Sequence, residues 1–143
     1  MNDKTPSSVH WSFWVIGAVA LIWNVGGSMN YVIQMNTDSL AGYREVEQAI
    51  IQGRPMWATA GFAIAVFGGT LGSLLLLFRK PAAYYMFIAS LLGVMVTSIH
   101  TLNVASRTDF SPLELVVIVV MPIAVAAFLA WYPRHVQSKG WIT

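Results

Sequence analysis

Long apolar runs alternate with short polar connections along the whole of this sequence. The run Met56–Phe78 contains no charged residue, and a membrane-spanning helix needs about 20 predominantly apolar residues. Three further runs have comparable length and composition. The pattern therefore predicts an all-α membrane protein in one domain, residues 1–143, built as an antiparallel bundle of four transmembrane helices. The predicted spans are approximately 11–35, 56–78, 82–102 and 113–132.

The second run carries a stripe of small residues at helical spacing. Small side chains let helix backbones approach closely in lipid, where apolar side chains gain little by clustering together. We therefore expect this helix to lie at the centre of the bundle, in close contact with the first or the third helix. The residues predicted to line the close helix contacts are Gly61, Ala65, Gly68, Gly72 and, on the third run, Gly93.

The connection between the first two runs, residues 36–53, has an amphipathic pattern of its own. Leu40, Tyr43 and Ile50 recur at helical spacing, and most charged side chains fall elsewhere around the same helix. The pattern predicts a short amphipathic helix on the membrane surface that ends at Gly53. A plain solvated loop is the alternative.

Composition and charge agree with a membrane protein and add an orientation. Hydrophobic residues make up 57% of the chain and charged residues 10%, against about 25% charged residues in a soluble domain. Basic residues lie near helix ends instead of forming a patch, which argues against a nucleic-acid partner. The positive-inside rule predicts that both termini are cytoplasmic, because one face collects Lys4, Arg79, Lys80, Arg134 and Lys139.

Polar residues at one depth of the predicted bundle suggest a binding site. Asn24, Ser28 and Tyr31 share a face of the first span, and Thr97 and His100 share a face of the third. Polar groups inside a membrane usually point into the bundle. We therefore predict a cavity that is open to the periplasm and holds a small polar ligand. Arg54, Trp57 and Glu114 complete the candidate binding set.

Three of these residues also have a structural interpretation. Asn24 could instead tie the first helix to a neighbouring backbone carbonyl. His100 could be an interfacial side chain with one hydrogen-bonded neighbour. Glu114 lies in the first turn of the fourth helix, where the helix dipole favours a carboxylate.

No motif indicates an enzyme. The chain contains no cysteine, and we find no nucleophile–base pair, phosphate-binding loop or dinucleotide fingerprint. No second intramembrane histidine accompanies His100, so neither a metal nor another cofactor is predicted. The absence of a mid-membrane carboxylate argues against the small multidrug-resistance transporters, which need one for proton exchange.

Two segments resemble a family of small four-helix bacterial membrane proteins that often carry an automatic "sugar transporter" label. The segments are WNVGGSMNYV (Trp23–Val32) and RPMWATAGFAIAVFGGTLGSLLLLFRKPAAYYMFIASLLGV (Arg54–Val94). The resemblance implies a four-span protein of the bacterial inner membrane. It brings no catalytic or binding residues to this chain.

Three classes of function are compatible with these features. The first is binding or transport of a small polar solute, with a second copy of the chain completing the path. The second is an accessory or structural subunit of a larger membrane complex, with the fourth helix as its contact. The third, an enzyme acting on lipid or quinone, has the least support. Apart from the lipid bilayer, the expected partners are therefore a homodimer mate or a larger complex.

Overall fold

A computed structural model describes residues 8–143, so Lys4, one of the basic residues on the predicted cytoplasmic face, lies outside the described range. Four of the helices are long and apolar enough to cross a membrane. The predicted all-α bundle of four membrane helices, with a short helix between the first and second spans, is confirmed. The helices are α1 (Trp11–Met35), α2 (Glu45–Gln52), α3 (Met56–Leu77), α4 (Ala83–Ala105) and α5 (Pro112–Ser138).

The bundle is built around the contact between α3 and α4. The long helices pack in the order α1, α3, α4, α5, and the α3–α4 contact is the most extensive. A Cβ atom added at Gly93 would lie 2.5 Å from the carbonyl oxygen of Gly61 and 2.7 Å from the backbone nitrogen of Ala65. The two backbones therefore touch at this crossing, which only small residues permit.

The same face of α3 continues along α4 toward the other end of the bundle. A Cβ atom at Gly72 would meet the ring of Phe87 at 2.9 Å, whereas one at Gly68 would lie 3.4 Å from the carbonyl oxygen of Met86. Gly72 thus makes room for an aromatic ring, and Gly68 lies at an ordinary packing distance.

The contact between α1 and α3 uses glycines that the sequence pattern did not single out. Gly69 lies directly against the side chain of Asn24, and a Cβ atom there would overlap its amide. A Cβ atom at Gly27 would lie 3.0 Å from Val66. α3 therefore presents small residues to both of its neighbours, which is why it occupies an interior position.

At one end of the bundle, which we call the terminal end, α1 begins and α5 ends in a packed apolar core. Phe13 is fully buried, and its ring stacks on Tyr132 with 6.4 Å between ring centroids. Ile142 is also buried, and Nε of Arg79 donates a hydrogen bond of 2.6 Å to the carbonyl oxygen of Trp141. α1 and α5 therefore meet at this end.

α5 runs past its predicted end at residue 132 and continues through Pro133 to Ser138. The additional turn is stabilised because Val136 packs fully buried in the terminal core. α4 likewise extends to Ala105 instead of residue 102. Both predicted limits were set by the loss of apolar residues, which marks the end of the apolar run and not the end of the helix.

α5 widens locally just before Pro122. Proline has no N–H group to bond to the carbonyl of Ile118. One π-helical turn, Val116–Val120, precedes it, with the N–H of Met121 bonded to the carbonyl of Val116. Such turns commonly absorb an interruption of the helical hydrogen-bond ladder.

Residues 36–53 form two short pieces at the opposite end, which we call the α2 end. A 3-10 helix, Thr37–Gly42, is followed by α2, and Gly53 ends α2 as predicted. Leu40 and Ile50 are buried, since the 3-10 helix packs against α1 and α2 packs against α4. Ile50 of α2 lies against the bundle, and the location of α2 on the membrane surface stays a prediction.

Candidate functional site

The bundle contains a cavity of about 620 Å³ between α1 and α5. Its back wall is formed by α3 and α4, and residues of α2 line it at the α2 end. The cavity exists because α1 and α5 pack together at the terminal end and not along their remaining length. Its volume lies within the range of roughly 300–1,000 Å³ typical of small-molecule sites.

The part of the cavity at the α2 end is polar. The Tyr43 hydroxyl donates a hydrogen bond of 2.8 Å to Oδ1 of Asn30, and Nη2 of Arg54 donates one of 2.9 Å to Oε1 of Gln34. Glu47 lines the same region. Asn30 and Gln34 are one helical turn apart on α1, so both amides face the cavity from the same side.

Arg54 has hydrogen-bonding capacity that its neighbours do not use. Its Nε and Nη1 atoms are buried and, among the described residues, have no hydrogen-bond partner. The guanidinium lies over the ring of Phe62, 4.8 Å from its centroid. Arg54 lies just before α3, outside the membrane-spanning segment. Burial lowers the pKa of its guanidinium. Partial burial of a charge is unfavourable when some of its donors have no partner, and an anionic partner would reduce that cost.

The middle of the cavity contains polar groups that are already bonded to the helices. Nδ2 of Asn24 donates to the carbonyl of Ala20 at 2.8 Å and to Oγ of Ser73 at 3.3 Å. The Ser90 hydroxyl donates to the carbonyl of Ala65 at 2.6 Å. The amide nitrogen of Asn24 therefore ties α1 to α3, as the structural interpretation predicts. Its partner on α3 is the Ser73 hydroxyl instead of a backbone carbonyl.

Toward the terminal end the lining of the cavity becomes apolar. Phe87 and Val94 of α4 face Pro122, Ala126 and Leu129 of α5. Phe87 and Leu129 also belong to the terminal core, which closes the cavity at that end. The cavity is therefore polar at one end and apolar at the other.

Of the candidate binding residues, the structure brings Asn24, Arg54 and Thr97 together in this cavity. Ser28 and Tyr31 lie outside it. The Ser28 hydroxyl bonds to the carbonyl of Val66 at 3.2 Å, and the Tyr31 ring packs edge-on against Phe62 and Phe67 of α3. Their side of α1 faces α3 instead of the cavity, so the expected convergence does not include them.

His100 and Trp57 lie in a different place from Asn24. Nε2 of His100 is 3.0 Å from the carbonyl oxygen of Ile50, to which it donates a hydrogen bond. The Trp57 ring stands edge-on to the imidazole, 6.5 Å between centroids. Both line a separate cavity of about 330 Å³ together with Arg107. His100 thus ties α2 to α4, and it does not converge with Asn24 in the main cavity as predicted.

Glu114 is hydrogen-bonded and ion-paired at the start of α5, and it does not line the main cavity. Its carboxylate accepts the backbone N–H of Ser111 at 2.8 Å, and its own N–H donates to the Ser111 hydroxyl. It also forms an ion pair with Arg44, which precedes α2. Arg44 was not among the candidate residues, and this pair links the α2 segment to α5.

Several residues that line the cavity were not among the predicted binding residues. For some of them, their spacing of one helical turn from another polar residue could have identified them. Thr97 and Thr101 are one turn apart on α4, as are Asn30 and Gln34 on α1. Extending each polar face by one turn would have found Thr101 and Gln34. Glu47 carried no such signal, because it was expected to face water on a surface helix.

The chemistry available in the cavity is hydrogen bonding and charge pairing. Within residues 8–143 no group of three or more His, Asp or Glu side chains could hold a metal ion. No protein-family model, curated protein or solved structure matches the chain. The resemblance to the small four-helix bacterial family therefore stays a prediction, and the function of this multi-pass membrane protein is inferred from the geometry of its cavity.

Proposed function

We propose that this protein binds a small molecule with a polar group in the cavity between α1 and α5. The observation that carries the proposal is Arg54, a half-buried cationic side chain that lines the cavity and whose hydrogen-bonded partner is the neutral amide of Gln34. Asn30, Gln34 and Tyr43 add amide and hydroxyl groups at the same end. Such a group of polar side chains at one end of a mostly apolar cavity is typical of a ligand site.

The α2 end faces the periplasm of a bacterial inner membrane in this proposal. Arg79, Lys80 and Arg134 lie at the terminal end, which is therefore the cytoplasmic side by the positive-inside rule. The polar part of the cavity then lies nearest the periplasm, and the terminal core separates it from the cytoplasm. A transport cycle would require that core to open.

The alternative, an accessory subunit without a ligand, is less well supported. A purely structural role predicts a dry and closely packed interior, whereas this interior contains a cavity with polar side chains at one end. Exposed apolar side chains on α5 do not distinguish the two, because any lipid-facing helix carries them.

Single cysteines test the proposal, since the chain has none of its own. In reconstituted vesicles, Thr97→Cys should react with a membrane-impermeant sulfonated methanethiosulfonate, because the thiol faces the cavity. The matched control is Ile99→Cys, at the same depth on a side chain that is 61% exposed on the outside of the bundle. We expect it to react at least about tenfold more slowly, since thiolates form poorly in lipid.

Solutes that bind in the cavity should slow the labelling of Thr97→Cys. They should leave Ser106→Cys, which lies exposed just beyond α4, unaffected. If Thr97→Cys is as unreactive as Ile99→Cys, the cavity does not admit polar molecules and the proposed function is wrong.

A further inference from the structure

The lining of the cavity is polar at one end and apolar at the other, as an amphiphilic ligand is. On α4 its lining runs from Thr101 to Phe87, which is about 21 Å at the helical rise. Hydrogen-bonding groups are concentrated at the Thr101 end, and Val94, Ala126 and Leu129 line the deeper part. A small sugar or amino acid would leave this apolar part unfilled.

The charge at the polar end favours an anion. The charged residues that line the cavity are Arg54 and Glu47. The charge of Glu47 is balanced by Arg44, since its Oε2 atom accepts the backbone N–H of Arg44 at 3.1 Å and lies 3.8 Å from Nε of the same residue. Arg54 has a neutral partner, Gln34, and unused donors at Nε and Nη1. An anionic group is therefore the ligand chemistry that the polar end lacks.

The cavity also has a side toward the lipid. Ile22 and Trp23 of α1 and Val117 of α5 line it, yet their side chains are 73%, 45% and 52% exposed respectively. These residues border the gap between two helices that meet only at the terminal end. A molecule already in the bilayer can reach the cavity through this gap without crossing water.

We propose that the cavity binds a single-chain anionic amphiphile, taken from the bilayer between α1 and α5, with its head group at Arg54 and its alkyl chain along Val94, Ala126 and Leu129. This inference rests on the proposed function, because it names the class of ligand for the same cavity. Compared with a free anion, the amphiphile gains binding free energy from the burial of its alkyl chain. This gain is roughly proportional to the apolar surface removed from water.

The experiment uses the full chain carrying Thr97→Cys in phosphatidylcholine vesicles, labelled with N-ethylmaleimide and followed by intact mass. Dodecyl phosphate should slow the labelling about fivefold or more, after normalisation to Ser106→Cys. Dodecanol tests the chain alone, and inorganic phosphate tests the anion alone. Arg54→Gln should abolish the protection, while Arg107→Gln, an exposed arginine outside this cavity, should retain it.

A second pair of variants keeps the test valid if Arg54→Gln does not fold. Ala126→Phe fills the apolar part of the cavity and should abolish protection by dodecyl phosphate. Its neighbour Ala127 is exposed on the outside of α5, so Ala127→Phe should not. Retained protection in Ala126→Phe would overturn the placement of the chain.

The remaining outcomes separate this inference from the proposed function. Equal protection by inorganic phosphate would identify a free anion as the ligand, and equal protection by dodecanol would remove the role of Arg54. Either result overturns an anionic amphiphile as the ligand but leaves the cavity as a binding site. Labelling that no probe slows overturns the inference alone. A Thr97→Cys thiol that never reacts contradicts the proposed function as well.

Discussion

Single residues set the distance between the two central helices. At Gly93 the backbone of α4 touches the backbone of α3, and the nearest atoms belong to Gly61 and Ala65. Backbone atoms cannot rotate away as a side chain can, so an added methyl group must push the helices apart. In a membrane this matters because van der Waals packing is a main source of helix association.

We therefore predict that Gly93→Ala destabilises the protein by about 1–3 kcal/mol, the usual cost of overpacking. Thermal unfolding in a mild detergent measures the change as a lower Tm. The matched control is Gly68→Ala on the facing helix, where the added atom would lie at an ordinary 3.4 Å from its nearest neighbour. Its Tm should stay near that of the parent chain. Equal Tm values for all three proteins would mean that the helices do not cross at Gly93.

At the scale of elements, α2 is held at the mouth of the cavity by contacts to two different helices. Its last turn bonds to α4 through His100 and the carbonyl of Ile50. The residue before it, Arg44, pairs with Glu114 of α5. An eight-residue helix is too short to be stable alone. Its position therefore depends on these contacts and on the burial of Ile50.

Removing the imidazole should loosen α2 without unfolding the bundle. In His100→Leu we expect amide hydrogen exchange within Glu45–Gln52 to rise roughly threefold to tenfold, because one net hydrogen bond contributes about 0.5–1.5 kcal/mol. His10→Leu, at the terminal end, is the matched control and should leave α2 unchanged. Unchanged exchange in both variants would show that the bond to Ile50 does not hold α2 in place.

At the scale of the molecule, the first and last membrane helices, α1 and α5, meet at the terminal end and separate toward the α2 end. The terminal core fixes α1 against α5, and the cavity occupies the space where they diverge. This arrangement gives a bundle with one closed end and one polar end. The homodimer named among the expected partners stays a prediction.

The orientation of these two ends can be measured with reporters. We expect a fluorescent protein fused after Thr143 to fluoresce, and alkaline phosphatase inserted at Gly42 to be active, because the basic residues favour a cytoplasmic terminal end. Gly42 is a suitable position since it is exposed and nothing crowds it. Phosphatase activity from a fusion at Thr143 would reverse the orientation and place the polar end of the cavity in the cytoplasm.

The sequence by itself determined the number of membrane helices, their approximate limits and the short helix between the first two. The reason is that lipid cannot satisfy backbone polar groups, so each span must be a helix with an apolar run of sufficient length. Gly61, Ala65 and Gly93 could be recognised as contact residues on the same ground, since few other features bring helices together in lipid. Gly69 was missed because it lies outside the predicted stripe of small residues, on the side of α3 that contacts Asn24 of α1.

Only the tertiary structure decided which polar faces meet. Thr97 and His100 are three residues apart and so differ by about 60° around α4, which is enough for one to face the cavity and the other α2. Their separation depends on the rotation of α4, which the packing of Gly93 against α3 fixes. The cavity itself depends on the meeting of Phe13 and Tyr132 at the terminal end. These residues are far apart in sequence, so no local pattern could reveal that α1 and α5 converge there and separate toward Arg54.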